Sequence, residues 1–315
     1  MYTFGLKRKI IANKMRSIPL PHYLHQLMIQ LSKALGVKEF ILFGGTAIDL
    51  LINPSTEICD LDIGIGEGKK YIKQCKKQLK LSNYQIIGKD RPYFTNMIDP
   101  VTMVFAKNNR WLLDISFMNN IWDIGQFDIE SLFFRYPELD YIDRYNTLKA
   151  LKEKTMRSIH GLYKENPYLL LNRIINICAK YDMNMSKNPV HRNSINVLKK
   201  RISNWNPPNS FHGKMAKIAH YSTVLKAMRR AKNRYAFIKD LIATGLLLET
   251  MPELQKLLKN LSPQEITLLE KAKTKGEIIE ILVKITDPKD RQKLKQRFRT
   301  LRLREWDLED RNLKI

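Results

Sequence analysis

Residues 57–65 read Glu-Ile-Cys-Asp-Leu-Asp-Ile-Gly-Ile, an alternating run that fits a β-strand. Alternation places Leu61 and Ile63 on one face and Asp60 and Asp62 on the other. The apolar neighbours mark a buried strand, so the two carboxylates do not read as a solvated sheet face. Carboxylates side by side repel and raise each other's pKa unless a cation sits between them. Just upstream, "EFILFGG" (39–45) is an apolar run halted by Gly44 and Gly45, and "TAIDLLI" (46–52) reads as a helix ended by Asn53-Pro54. The chain here must therefore make a strand, a glycine turn, a short helix and a second strand carrying paired aspartates.

Mg²⁺ is the cation that suits hard carboxylate oxygens beside a phosphate. A third carboxylate on a neighbouring strand would complete a two-metal set, and Asp114 in "RWLLDISF" (110–117) is the candidate, since a lone charge in that apolar run would be costly. The turn at Gly44-Gly45 brings backbone N–H groups and a helix N-terminus together, which suits a triphosphate, and Thr46 adds a hydroxyl. "GIGEGKK" (64–70) mimics a phosphate loop but lacks the GxxxxGK[ST] spacing, and Lys70 stands where Ser or Thr is needed.

Helical spacing over 21–36 and a basic amphipathic helix over 69–81 flank further strands at 84–88 and 101–107. The order β-α-β-α-β-β-β over about the first 120 residues is that of a small α/β sheet domain. Beyond residue 125 the pattern turns helical, with "NWNPPNS" (204–210) as a linker between helical parts. The expected fold class is α+β: a small mixed-sheet head followed by an all-helical body.

Fifty-five Lys and Arg against 31 Asp and Glu give a net charge of +24 over 315 residues, which favours a polyanionic partner, nucleic acid first. The basic stretches at 69–80, 196–201, 226–234 and 290–304 supply such a surface. Three cysteines without CxxC spacing fit a reducing compartment, and the six scattered histidines carry no zinc pattern. No apolar run reaches 18 residues, so no membrane partner is expected. The basic N-terminal segment lacks a signal-peptide core; a cytoplasmic location is expected, with a mitochondrial presequence as the minority reading.

Gly44-Gly45, Asp60-Leu61-Asp62 and Asp114 together resemble the active-site signature of the DNA polymerase β-like nucleotidyltransferase superfamily, over roughly residues 38–118. That resemblance implies nucleotide transfer from an NTP, with two Mg²⁺ held by Asp60, Asp62 and Asp114. The segment 147–183 resembles the neck of bacterial-type tRNA CCA-adding enzymes and poly(A) polymerases, through Lys152, Arg157 and Ile159, then Glu165, Pro167, Arg173, Ala179 and Lys180. It implies ATP or CTP as substrate, an RNA 3′ end (tRNA foremost) as acceptor, and nucleotide contacts from the positions of Asn166 and Arg173. It also implies a catalytic head over 1–125, a helical neck over 126–203 and a basic RNA-binding body and tail over 204–315. Several positions depart from the family pattern. Asn166 and Leu169 stand where the family has its base-reading Asp and Arg, Ile48 replaces a phosphate-binding Arg, and only Asp128 matches the Arg-Asp-Phe-Thr motif. "GGTAIDLL" with "DLDI" is also similar to the opening of abortive-infection and toxin-type nucleotidyltransferases. A toxin-type enzyme modifying tRNA or protein, and an inactive RNA-binding protein on the same scaffold, are the alternative readings.

Overall fold

A computed structural model of the chain describes residues 17–52, 60–66, 71–81, 85–89, 101–107, 111–117, 126–159, 161–162, 166–204 and 211–302. The Pro-rich stretch at 205–210, the end of the basic tail beyond 302 and the N-terminal segment 1–16 lie outside these residues. The chain divides into two compact units. The first runs to Glu153 and takes in Arg157–His160; the second holds Lys154–Met156 and the chain from Gly161 onward. The fold is α+β, a mixed sheet in the first unit and helices throughout the second.

Eight strands among the described residues form one sheet: β1 (Ser17–Pro19), β2 (Phe40–Leu42), β3 (Asp60–Ile65), β4 (Gln85–Lys89), β5 (Val101–Lys107), β6 (Trp111–Phe117), β7 (Leu132–Tyr136) and β8 (Asp140–Asp143). Their order across the sheet is β1-β8-β7-β2-β3-β6-β5-β4. Every pairing is antiparallel except β3 with β6, which run parallel near the middle. Helix α1 (His22–Leu35) buries Leu24, Met28, Leu31 and Leu35 at helical spacing and ends at Gly36, whose left-handed φ of 66° lets its N–H reach the Ser32 carbonyl. Helices α2 (Gly44–Ile52) and α3 (Ile72–Leu81) follow; α3 buries Cys75 and Leu79 and leaves Lys73, Lys77 and Lys80 in solvent. Helix α4 (Thr147–Glu153) closes the unit, its first N–H groups accepted by the Asp143 carboxylate.

Sequence periodicity reads residues beyond 125 as helical, and the structure corrects this at β7 and β8. Leu132, Phe133 and Phe134 are all fully buried, because β7 lies inside the sheet between β2 and β8 with both faces covered. A strand covered on both faces shows no alternation, so an apolar run of this kind is not separable from a helix by period. Arg135 on β7 grips Asp140 on β8 with two hydrogen bonds of 2.7 and 2.6 Å across the hairpin.

The second unit comprises α5 (Pro167–Lys180), α6 (Pro189–Ser203), α7 (Phe211–Arg230), α8 (Arg234–Ala243), α9 (Leu246–Thr250), α10 (Pro252–Lys259), α11 (Pro263–Lys271), α12 (Lys275–Ile285) and α13 (Pro288–Arg302). Its boundaries are written in cap chemistry. Asn166, Asn188 and Asn233 accept first-turn N–H groups, and Ser262 and Thr274 form capping boxes with Glu265 and Glu277. Pro occupies the first helical turn of α5, α6, α10 and α11, where its missing N–H costs nothing. None of these helices is long and apolar enough to cross a membrane.

Helix α5 is the spine of this unit, and a buried polar cluster ties it to α7 and α9. The His220 imidazole, wholly buried, lies 2.5 Å from Asn172 Oδ1 and 3.1 Å from Thr250 Oγ1, with the Tyr168 ring edge-on at 5.6 Å. Nearby, the Asp240 carboxylate accepts the N–H groups of Met185 and Ser186 at 2.5 and 2.9 Å, pinning the loop after α5 to α8.

Burial pushes the His220 imidazole down to about 3. Between that value and the ordinary 6.5 the unfolded chain holds a proton that the folded chain refuses, so stability falls as pH falls. One such group contributes a slope of about 1.4 kcal/mol per pH unit at most. His220→Gln, which keeps hydrogen-bonding capacity but cannot charge, is expected to lose stability less steeply on acidification, read by urea unfolding from about pH 7 to about pH 4. Equal slopes in the two proteins would contradict the buried neutral histidine.

Candidate active site

The site is built on the parallel pair β3 and β6. Their register sets Asp60 beside Leu112, Asp62 beside Asp114 and Gly64 beside Ser116. Neighbouring strands stand about 4.8 Å apart, and residues matched in a parallel register point to the same face. Asp62 and Asp114 therefore project side by side. Each is flanked by fully buried residues facing the other way, Leu61 and Ile63 in β3 and Leu113 and Ile115 in β6. The two aspartates are themselves only half-buried, so this face of the sheet is partly open at their position, although Asp114 Oδ1 is screened from solvent.

The glycine turn lies against Asp62. Phe43 N–H donates to the Asp62 carbonyl at 3.1 Å, extending the contact between β2 and β3 by one step. Gly44 then takes a left-handed φ of 63° and opens α2. A Cβ at Gly44 would sit 3.4 Å from Asp62 Oδ2. The turn thus needs glycine for its left-handed backbone, while the space beside Asp62 would admit a Cβ at ordinary contact distance. Thr46, in the first turn of α2, is buried; its hydroxyl accepts Asp62 N–H at 3.1 Å and donates to Asp62 Oδ2 at 3.4 Å.

The structure thus gathers Asp62, Asp114, Gly44 and Thr46 into one place, with Gly45 next in α2. Asp60 belongs to β3 and its backbone is paired, but its side chain lies outside the described residues, as does the Glu67–Lys70 part of the false phosphate loop. Among the described residues no group of three or more His, Cys, Asp or Glu is arranged to hold a metal. The described donors, two in-register carboxylates on a partly open face, suit a hard divalent cation.

Asn166 and Arg173 belong to the second unit. Asn166 caps α5, its Oδ1 accepting Tyr168 N–H at 2.9 Å, and Arg173 is half-buried on the same helix. Ile48 is fully buried in α2, so the position of the missing arginine points into the core. Asp128 is a structural anchor. Its Oδ1 accepts the N–H groups of Ile129 and Arg157 at 2.8 and 2.9 Å, and its carbonyl accepts the Thr147 hydroxyl at 2.8 Å. The reciprocal contact between Thr46 and Asp62 had no signal in the sequence, because its partners are sixteen residues apart and meet only in the folded sheet.

Gly44→Ala is expected to lower stability by about 1–2 kcal/mol, the cost of a left-handed backbone at a residue with a Cβ. Gly45→Ala, at a position without positive φ, is the control and is expected to be near neutral in thermal unfolding. An equal effect at the two glycines would contradict the strained turn.

No family model and no curated protein matches the chain in sequence. Solved structures do match in fold. A CCA-adding enzyme in complex with CTP has a TM-score of 0.55 at 14% identity, covering 91% of this chain and 70% of that one. The Thermotoga maritima CCA-adding enzyme in complex with tRNA gives 0.57 at 14% identity, covering 90% and 69%. A tRNA-processing enzyme with CTP gives 0.54 at 16% identity, covering 90% and 76%. The likeness extends over nearly the whole chain, well beyond the segment that carries the carboxylates: this chain has the fold of the CCA-adding enzymes.

Proposed function

We propose that the chain is a nucleotidyltransferase that adds nucleotides from an NTP to an RNA 3′ end, tRNA foremost. The observation that carries this reading is the register of Asp62 with Asp114 beside the Gly44 turn. Support comes from neighbours of the same fold solved with CTP, ATP and tRNA, and from the net charge of +24, which suits a polyphosphate acceptor.

In the proposed reaction the acceptor 3′-hydroxyl attacks the α-phosphorus of the NTP. A new O–P bond forms, the bond from the α-phosphorus to the bridging oxygen breaks, and pyrophosphate leaves. Asp60, Asp62 and Asp114 would hold Mg²⁺, which supplies charge neutralisation at the attacking and leaving oxygens. Asp114 accepts a hydrogen bond from the attacking hydroxyl and favours its deprotonation. The first N–H groups of α2, at Gly44 and Gly45, face the triphosphate with the positive end of the helix.

Asn166 and Arg173 are assigned to the nucleotide. Leu169 offers no hydrogen bond, and Asn166 both donates and accepts, so base choice is relaxed relative to an Asp and Arg pair. The toxin-type alternative draws on the Gly-Gly-Thr-Ala opening, which carries no arginine at the buried Ile48 position.

Incubation of the protein with total RNA and each labelled NTP in turn, followed by gel analysis, tests the reading. RNA is expected to be labelled, by more than one NTP. Asp62→Ala and Asp114→Ala are each expected to reduce labelling by at least about 10³-fold while circular dichroism and unfolding midpoints stay near wild type. Label on a protein band would select the toxin-type reading. Salt-sensitive RNA binding with no label anywhere would select an inactive scaffold.

A further inference from the structure

We infer that Thr46 is a positioning residue for the Asp62 carboxylate and does not bind the triphosphate. The inference rests on the reading of Asp62 as a metal ligand. Thr46 is 4% exposed, so little of it faces solvent. The hydroxyl meets Asp62 twice, accepting from its backbone N–H at 3.1 Å and donating to Oδ2 at 3.4 Å. The first bond locks the hydroxyl to β3, and the second limits rotation of the carboxylate.

Such a restraint has a physical purpose here. Asp114 stands in register on the next strand, and two like charges at that spacing turn away from each other when nothing holds them. Gly44 leaves no Cβ to block the carboxylate on the side of the turn, so sterics alone do not fix its plane. A hydrogen bond to Oδ2 directs the carboxylate toward a shared cation site without placing a further ligand in it. Groups that orient a ligand in this way commonly change metal affinity or activity by about 10–100-fold when lost.

The test uses the full chain and Mn²⁺ alone, with bound metal read from loss of the free-ion electron paramagnetic resonance signal. Thr46→Val keeps the shape and removes the hydroxyl; Thr46→Ser keeps the hydroxyl and removes the methyl. Thr46→Val is expected to weaken Mn²⁺ binding about tenfold and to lower kcat by a similar factor, with KM for the NTP nearly unchanged. Thr46→Ser is expected to stay within about twofold of wild type in both. Wild-type Mn²⁺ affinity in Thr46→Val overturns the inference. So does a loss in Thr46→Ser, which would assign the effect to packing of the methyl, and this arm stands even if the valine variant does not fold. A raised KM with unchanged kcat would return Thr46 to the triphosphate. Asp62→Ala separates the two layers: if it binds Mn²⁺ as wild type does, the ligand assignment of Asp62 itself has failed.

Discussion

The parallel ladder between β3 and β6 is the constraint on which the head depends. Six residue pairs, from Asp60 with Leu112 to Ile65 with Phe117, run through the middle of an otherwise antiparallel sheet. A slip of one residue in either strand would send its aspartate into the core and its leucines and isoleucines to the open face. Leu61, Ile63, Ile65, Leu113, Ile115 and Phe117 are all buried, so hydrophobic burial itself enforces the register that holds two carboxylates together. The repulsion between them is thus opposed by packing on the opposite face of the same strands. The chain between β3 and β6, through α3, β4 and β5, makes the long crossover that a parallel pair requires.

The second constraint is the glycine turn. With Gly44 in a left-handed backbone conformation, α2 begins within contact distance of the Asp62 carboxylate. A helix N-terminus and a carboxylate pair then share one location, the charge arrangement on which the proposed function rests. Thr46 stitches α2 to β3 at the same point. In the body, His220 and Asp240 show a different economy: polar groups are buried with their partners, giving the helices fixed mutual positions.

Much of this was legible in the sequence. The alternation around Asp60 and Asp62 and the apolar run around Asp114 marked strands with carboxylates set against their burial pattern, and Gly44-Gly45 marked the turn. Helices of the body such as those at 167–180 and 211–230 were announced by periodicity. What failed, failed for physical reasons. Leu132–Phe134 lack alternation because both faces of β7 are covered. The burial of Thr46 against β3 had no signal in the sequence, because its partner Asp62 meets it only in the folded sheet. Asp128, the one position in keeping with the Arg-Asp-Phe-Thr motif, holds the backbone at Arg157 through its carboxylate, a contact between positions too far apart in sequence to be read there.

The most direct measurement of the central claim is diffraction from crystals of the chain soaked with Mn²⁺ and a non-hydrolysable NTP, recorded at a wavelength where manganese scatters anomalously. Anomalous density is expected at about 2.0–2.2 Å from carboxylate oxygens of both Asp62 and Asp114, with the triphosphate against the first turn of α2. A nucleotide bound there with manganese absent from both aspartates, or manganese seated elsewhere in the head, would contradict the assignment.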